Sequence, residues 1–311
     1  MRAAALTVTV VALGTAVVTA QGDARFKARS ELVILDVAVT DGRGAFVRGL
    51  PAESFRVLEE GRPQTISFFA EQDAPATIGL LLDSSGSMLV NRSMMIAGLT
   101  SLARSSNPDD EFLPLVFNER VTYVLPPGTT FTSDPEELRD ALAGSLAVVG
   151  KTAFHDALAE ALDGIAKGSH ERRVLIVLSD GGDNASQLSF DELLHTVLAS
   201  NVVVYTIALI DPLSRGHNTG ALRRLARETG GLAFEPRSRG ALTDAFRDIA
   251  ADIRSRYTLA FEPSDTSSGR FKHVRVMVSA PDRRKIHVRT RTGYMAGLSE
   301  PASSAGAGAE R

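Results

Sequence analysis

The rhythm of hydrophobic and polar positions changes twice along the chain. From residue 31 to 70 it alternates, and Val33, Leu35, Val37 and Val39 fall on one face of a strand. Asp41-Gly42-Arg43-Gly44 and Glu60-Gly61 are turn signals, and short runs at 55–58 and 65–69 supply further strands. This reads as a small antiparallel unit that needs a partner surface, because about forty residues bury little alone. From 76 to 262 the apolar runs become continuous, at Ile78–Leu82, Phe112–Phe117, Val174–Leu178, Val202–Ile207 and Leu232–Phe234. Helical patterns lie between most of them, at Asn91–Arg104, Pro135–Leu142, Phe154–Ala166, Phe190–Ala199, Gly220–Thr229 and Ala241–Arg254. Arg120–Leu125 follows Phe112–Phe117 as the second arm of a hairpin, so one edge strand is expected to be antiparallel. From 256 to 295 alternation returns, with Val274, Val276 and Val278 on one face and Ile286 and Val288 on another.

Continuous apolar strands alternating with amphipathic helices predict an α/β fold, a mostly parallel sheet with helices on both faces. The C-terminal segment reads as a hairpin turning at Ala280-Pro281-Asp282 and packing with the N-terminal unit. The expected organisation is therefore a β segment at 31–70, an α/β domain at 76–255 and a β segment at 256–295. The two β segments would form one small antiparallel domain. Residues 296–311, small and polar, are expected to be disordered.

Composition changes the picture in three places. The 311-residue chain has no Cys, which excludes disulfides, thiolate metal sites and a Cys nucleophile. Its net charge of −3 does not point to nucleic acid as a partner. Residues 1–20 combine Arg2, an apolar run and Val18-Thr19-Ala20, the pattern of a secretory signal. Cleavage near Ala20 is favoured over retention as an anchor, since the run is close to the roughly 17-residue lower limit for a span. The expected location is secreted or periplasmic.

The candidate chemistry lies at the ends of the predicted strands. In an open parallel sheet, ligands bind at the carboxyl ends of strands. There the chain places Asp83-Ser84-Ser85-Gly86-Ser87, then Gly150-Lys151-Thr152 before a helix, then Ser179-Asp180-Gly181-Gly182-Asp183-Asn184. Hard oxygen donors in three converging loops suit a hard cation such as Mg²⁺.

Asp-x-Ser-x-Ser after the first strand, a later Thr and Ser-Asp-Gly after a central strand resemble the metal-ion-dependent adhesion site of von Willebrand factor A domains. The flanking segments, LDVAVTDGRGAFVRGLPAESFRVLEEGRPQTISFF and RYTLAFEP to RTRTGYM, resemble those of bacterial secreted proteins of the same type. The resemblance implies a Rossmann-like fold and a metal held by Asp83, Ser85, Ser87, Thr152 and Asp180. It implies Mg²⁺, with Mn²⁺ or Ca²⁺ as alternatives, bridging to an Asp or Glu of a partner protein. Lys151 stands where the family often has Gly, and Asp156 and Asp183 are acidic neighbours that would support the loops from behind or serve as plain turn and helix-start residues.

Other readings are weaker. Gly144 to Thr152 has five residues between its glycines where a phosphate loop needs four. Gly-x-Ser-x-Gly is absent, Ser85 and Ser87 have no evident His partner, and His155 reads as a helix start. The chain is therefore read as a non-enzymatic binding module. The alternatives are an envelope protein with a stabilising metal and a metal-dependent hydrolase. Lys272–Arg291 is strongly basic and is carried as a solvated strand face or a contact for acidic polysaccharide or lipid.

Overall fold

The computed structural model describes residues 32–71, 73–84, 92–145, 150–210, 217–265, 269–280 and 285–297. The signal pattern, Ser85, Ser87 and almost all of the expected tail lie outside them.

Apolar runs too continuous for one wet face form the central sheet. Its strands are β5 (Ala76–Asp83), β6 (Glu111–Phe117), β7 (Val121–Tyr123), β8 (Arg172–Ser179), β9 (Val203–Ala208) and β10 (Ala233–Phe234). They lie in the order β10-β9-β8-β5-β6-β7, all parallel except the edge strand β7. Every residue of β5 is buried. Ile78, Leu80 and Leu82 point into one layer with Leu99, Leu138, Phe246 and Ile249. Leu81 points into the other with Phe154, Leu158, Leu193 and Leu225. The first layer is built by α1 (Arg92–Ser105), α2 (Pro135–Gly144) and α6 (Arg239–Ile253), the second by α3 (Phe154–Ile165), α4 (Phe190–Ala199) and α5 (Thr219–Thr229). Local chemistry sets the helix starts: Asp134 and Asn218 cap α2 and α5, and Ser189 with Glu192 forms a capping box on α4.

The chain leaves β5 toward β6 on one side and returns to β8 on the other. The crevice at the carboxyl ends of β5 and β8 is thus the switch point of the sheet, the place where such folds bind ligands.

The terminal segments form two further antiparallel sheets. One contains β1 (Val33–Asp41), β4 (Ile66–Glu71), β11 (Arg256–Phe261) and β13 (Ile286–Arg289), in the order β13-β1-β11-β4. The other contains β2 (Phe55–Glu59), β3 (Arg62–Gln64), β12 (Phe271–Val278) and β14 (Gly293–Met295), in the order β14-β12-β2-β3. Between them lies a core of Leu35, Val37, Val57, Tyr257, Leu259, Phe261, Val274 and Val276. The Phe55 and Tyr257 rings pack 4.8 Å apart across it. Glu60 and Gly61, with φ of 48° and 77°, make the tight β2–β3 turn.

Three expectations are corrected here. The C-terminal segment is not one hairpin: β12 pairs with β2 and β13 pairs with β1, in different sheets. Alternation names the inward face of each strand but not its sheet, and both strands turn their apolar faces into the same core. Ala296, placed by its composition at the start of the tail, is buried in that core, and its N–H donates to the Arg270 carbonyl.

Nor is Lys272–Arg291 a single solvated basic face. Lys272 is buried with its Nζ 3.1 Å from Glu59, and Arg289 pairs with Asp252. Arg291 is buried and donates to Asn201 Oδ1 (2.6 Å) and to the carbonyls of Leu198 (2.5 Å) and Ser200 (3.2 Å). Arg270, His273, Arg275, Lys285 and His287 stay exposed. Arg289 and Arg291 fasten the β sheets to the α/β layers, whereas Lys272 pairs within its own sheet. Asp252, at the end of α6, accepts from Arg256 of β11, Arg289 of β13 and Tyr205 of β9.

Candidate metal centre

Asp83 ends β5 and is 1% exposed. Leu82 of β5 pairs with Leu178 of β8, so Asp83 and Ser179 emerge at the same level on neighbouring strands. The Ser179 hydroxyl donates to Asp83 Oδ2 at 2.8 Å and accepts from Gly181 N–H at 3.0 Å. One buried hydroxyl therefore aims the first carboxylate and starts the turn that carries the second. Ser84 is tied to the neighbouring strand end, its N–H and hydroxyl both donating to the Phe117 carbonyl (2.8 and 2.9 Å).

Asp180 follows β8 and is 8% exposed. Its Oδ1 accepts from Gly182 N–H at 2.8 Å, and its carbonyl accepts from Asn218 N–H at 3.0 Å. The turn requires Gly181: its φ is +75°, and a Cβ there would lie 2.5 Å from the Asn218 carbonyl oxygen.

Thr152, 9% exposed, arrives from a third loop immediately before α3. Its N–H donates to Asn184 Oδ1 (2.9 Å), and its carbonyl accepts from the N–H groups of Asn184 (2.9 Å) and Ala185 (3.2 Å). Ala153 N–H binds the Asn118 carbonyl at 2.8 Å, and Lys151 N–H binds Glu119 Oε1 at 3.0 Å. The Lys151 side chain is exposed.

Asp156 and Asp183 both brace the loop between β8 and α4. Asp156 accepts from Gln187 and Leu188 N–H groups (2.9 and 3.0 Å). Asp183 accepts from His155 N–H (3.0 Å) and the Ser186 hydroxyl (2.5 Å). Burial alone would raise the Asp183 pKa; the Ser186 and His155 hydrogen bonds outweigh it and hold the carboxyl below its ordinary value. The His155 ring lies between Phe154 and Phe190, with Nδ1 2.9 Å from the Leu188 carbonyl.

Among the described residues, then, Asp83, Thr152 and Asp180 are buried on three loops at the carboxyl end of the sheet, linked through Ser179 and Asn184. Ser179, Asn118, Asn184 and Asn218, which the motif reading passed over as site residues, hold their loops. Ser179 and Asn184 stand inside the quoted Ser-Asp-Gly-Gly-Asp-Asn run, so their polar character was the available signal. The donor set fits a hard divalent ion: two buried carboxylates can balance its charge, and hydroxyl oxygen supplies the rest. No group of three or more His, Cys, Asp or Glu able to hold a metal occurs among the described residues. A site here consequently depends on hydroxyls as well as carboxylates.

Residues 77–248, more than half of the chain, match the von Willebrand factor type A domain model. The chain belongs to the von Willebrand factor type A domain family. Such domains generally mediate metal-dependent protein interactions and are typically non-enzymatic. Among solved structures, the von Willebrand factor type A protein of Catenulispora acidiphila is 14% identical, over 87% of this chain and 74% of that one, with a TM-score of 0.49. The vWF domain of the type V pili tip protein Mfa5 from Porphyromonas gingivalis is 12% identical, over 59% and 96%, with a TM-score of 0.48. Proximal thread matrix protein 1 of the mussel byssus, with a zinc-occupied MIDAS motif, is 18% identical, over 59% and 49%, with a TM-score of 0.48. No curated protein compared with the chain matches it significantly. The family assignment rests on the domain match.

Proposed function

We propose that this von Willebrand factor type A domain binds a divalent cation through Asp83, Ser85, Ser87, Thr152 and Asp180, and through it an Asp or Glu of a partner protein. The observation that carries the reading is that Asp83, Asp180 and Thr152, all buried, stand on loops at the switch point that are tied together by the Ser179–Asp83 and Thr152–Asn184 hydrogen bonds. Mg²⁺ is the proposed ion, with Mn²⁺ or Ca²⁺ as alternatives, because the donors are hard oxygens. When bound, the ion supplies an electrophilic centre that a partner carboxylate can satisfy. The chain's own residues balance its charge, orient the oxygens and keep the crevice floor dry.

A binding role is favoured over hydrolysis because the imidazole that follows the Thr152 loop is already engaged. His155 Nδ1 faces the Leu188 carbonyl, and its side chain is only 14% exposed between two phenyl rings. The proposed location is secreted or periplasmic. No helix among the described residues is long and apolar enough to cross a membrane.

The test is a pull-down from envelope extract with purified protein in Mg²⁺, in EDTA, and with Asp83→Ala in Mg²⁺. A partner held only by the wild type with metal supports the proposal. The same partners in all three lanes would remove it and leave a structural role for the ion.

A further inference from the structure

Asn184 has a bonding pattern that a surface loop residue does not need. Its side-chain Oδ1 accepts the Thr152 N–H at 2.9 Å while its own N–H returns to the Thr152 carbonyl at 2.9 Å. Ala185 N–H adds a second bond to that carbonyl at 3.2 Å. Both backbone polar groups of Thr152 are thus satisfied by the segment that follows Asp180. Behind Asn184 the segment is rigid: Asp183 and Ser186 bind the His155 N–H (3.0 Å each), and Asp156 holds the N–H groups of Gln187 and Leu188.

We infer that Asn184 is a positioning residue, setting the Thr152 hydroxyl against Asp180 without itself touching the ion. The inference rests on the metal-binding reading above. A side-chain amide suits the task because its carbonyl oxygen accepts one backbone N–H without adding charge beside two carboxylates. The loops at Thr152 and Asp180 belong to different crossovers of the sheet, preceding α3 and following β8. Van der Waals packing alone would leave their spacing loose. Groups that orient metal ligands from behind typically change metal affinity about 10–100-fold when removed.

The experiment titrates Mn²⁺ into the wild-type protein, Asn184→Ala, Asn184→Gln and Asn184→Asp, following free Mn²⁺ by electron paramagnetic resonance. Melting of each protein is recorded in EDTA. Asn184→Ala and Asn184→Gln should weaken Mn²⁺ binding about tenfold or more, since neither side chain can accept from Thr152 N–H in the same geometry. Asn184→Asp keeps the acceptor but adds a carboxylate beside the proposed ligands, so it should bind Mn²⁺ at least as tightly as the wild type. Melting in EDTA should be similar for the Asp and Gln variants, which separates positioning of the ion from simple fold damage. Wild-type affinity in both the Ala and Gln variants would overturn this inference while leaving the metal reading intact. Equal losses in Asp and Gln variants, in step with lowered melting, would assign Asn184 a structural role instead. A wild-type protein that takes up no Mn²⁺ would overturn the metal reading and this inference with it.

Discussion

Replacing Asp252 with asparagine tests what joins the β sheets to the α/β layers. Asp252 is fully buried. Its Oδ2 accepts from Arg256 Nη2 (2.6 Å), Arg256 Nε (3.1 Å) and the Tyr205 hydroxyl (2.5 Å), and Oδ1 accepts from Arg289 Nη2. Asparagine keeps the volume and one acceptor but removes the charge that both guanidiniums bond. Arginine cannot shed its proton to escape. The Arg289 side chain is 26% exposed and can turn toward water, whereas that of Arg256 is 2% exposed and cannot. Breaking one side of a buried pair costs about 3–5 kcal/mol. Arg256 retains the Gly230 carbonyl at 2.6 Å, which argues for the lower end, about 3 kcal/mol. That is a large part of the roughly 5–15 kcal/mol that holds a folded protein together.

Urea unfolding followed by circular dichroism at neutral pH measures this loss. The pH dependence checks its origin. Burial alone would raise the Asp252 pKa, but Arg256 and Arg289 outweigh it and hold the carboxyl below its ordinary range. A depressed folded-state value gives stability that is present above the unfolded-state value, near 3.9, and lost as pH falls through the folded one. The gap between wild type and Asp252→Asn should therefore be flat from roughly pH 5 to 8 and shrink below about pH 4. A loss under about 1 kcal/mol at neutral pH, or a gap that widens in acid, would refute the reasoning.

Three further outcomes follow from the same geometry. Gly231→Ala would place a Cβ 1.9 Å from the Val204 carbonyl oxygen, and since backbone must move, melting should show a loss of about 2–3 kcal/mol; an unchanged melt would mean that the turn relaxes freely. Gly181→Ala combines a positive φ with a 2.5 Å approach to the Asn218 carbonyl oxygen, so stability should fall by about 1–2 kcal/mol, with weaker Mg²⁺ binding, checked by urea unfolding and calorimetric titration. Lys151→Gly should tighten Mg²⁺ binding by no more than about threefold, because an exposed ammonium is screened by water and salt; tightening beyond about tenfold in the same titration would mean that Lys151 competes with the ion.

Much of the α/β layer was legible because its strands are buried on both faces. A run such as Ile78–Leu82 can be little else, and the helices between such runs carry their own caps at Asp134, Ser189 and Asn218. The antiparallel edge at β7 was readable from two short runs separated by a tight turn. The β segments were less legible. Period-two alternation marks Val274 and Val288 as inward but is silent on which sheet receives each, and the division of β12 from β13 depends on pairing with strands more than two hundred residues away. Lys272, Arg289 and Arg291 read as solvated because isolated cations usually are. Their inward pairing follows from Glu59, Asp252 and the carbonyls at the end of α4, partners that only the fold brings near. At the candidate centre the motif named Asp83, Thr152 and Asp180, while Ser179, Asn184 and Asn118 act through local hydrogen bonds that leave no periodic trace. Ser85 and Ser87 fall outside the described residues, and their part in the site stands as a proposal.

The central claim is that Asp83 and its neighbours hold a divalent ion in a protein that is otherwise complete without it. Calorimetric titration of Mg²⁺ into the wild-type protein and into Asp83→Ala, with the melting of both recorded in EDTA, tests it most directly. The account predicts one saturable site in the wild type, none in the variant, and a cooperative melt for both. Equal Mg²⁺ uptake by the two proteins, or none by the wild type, would contradict it.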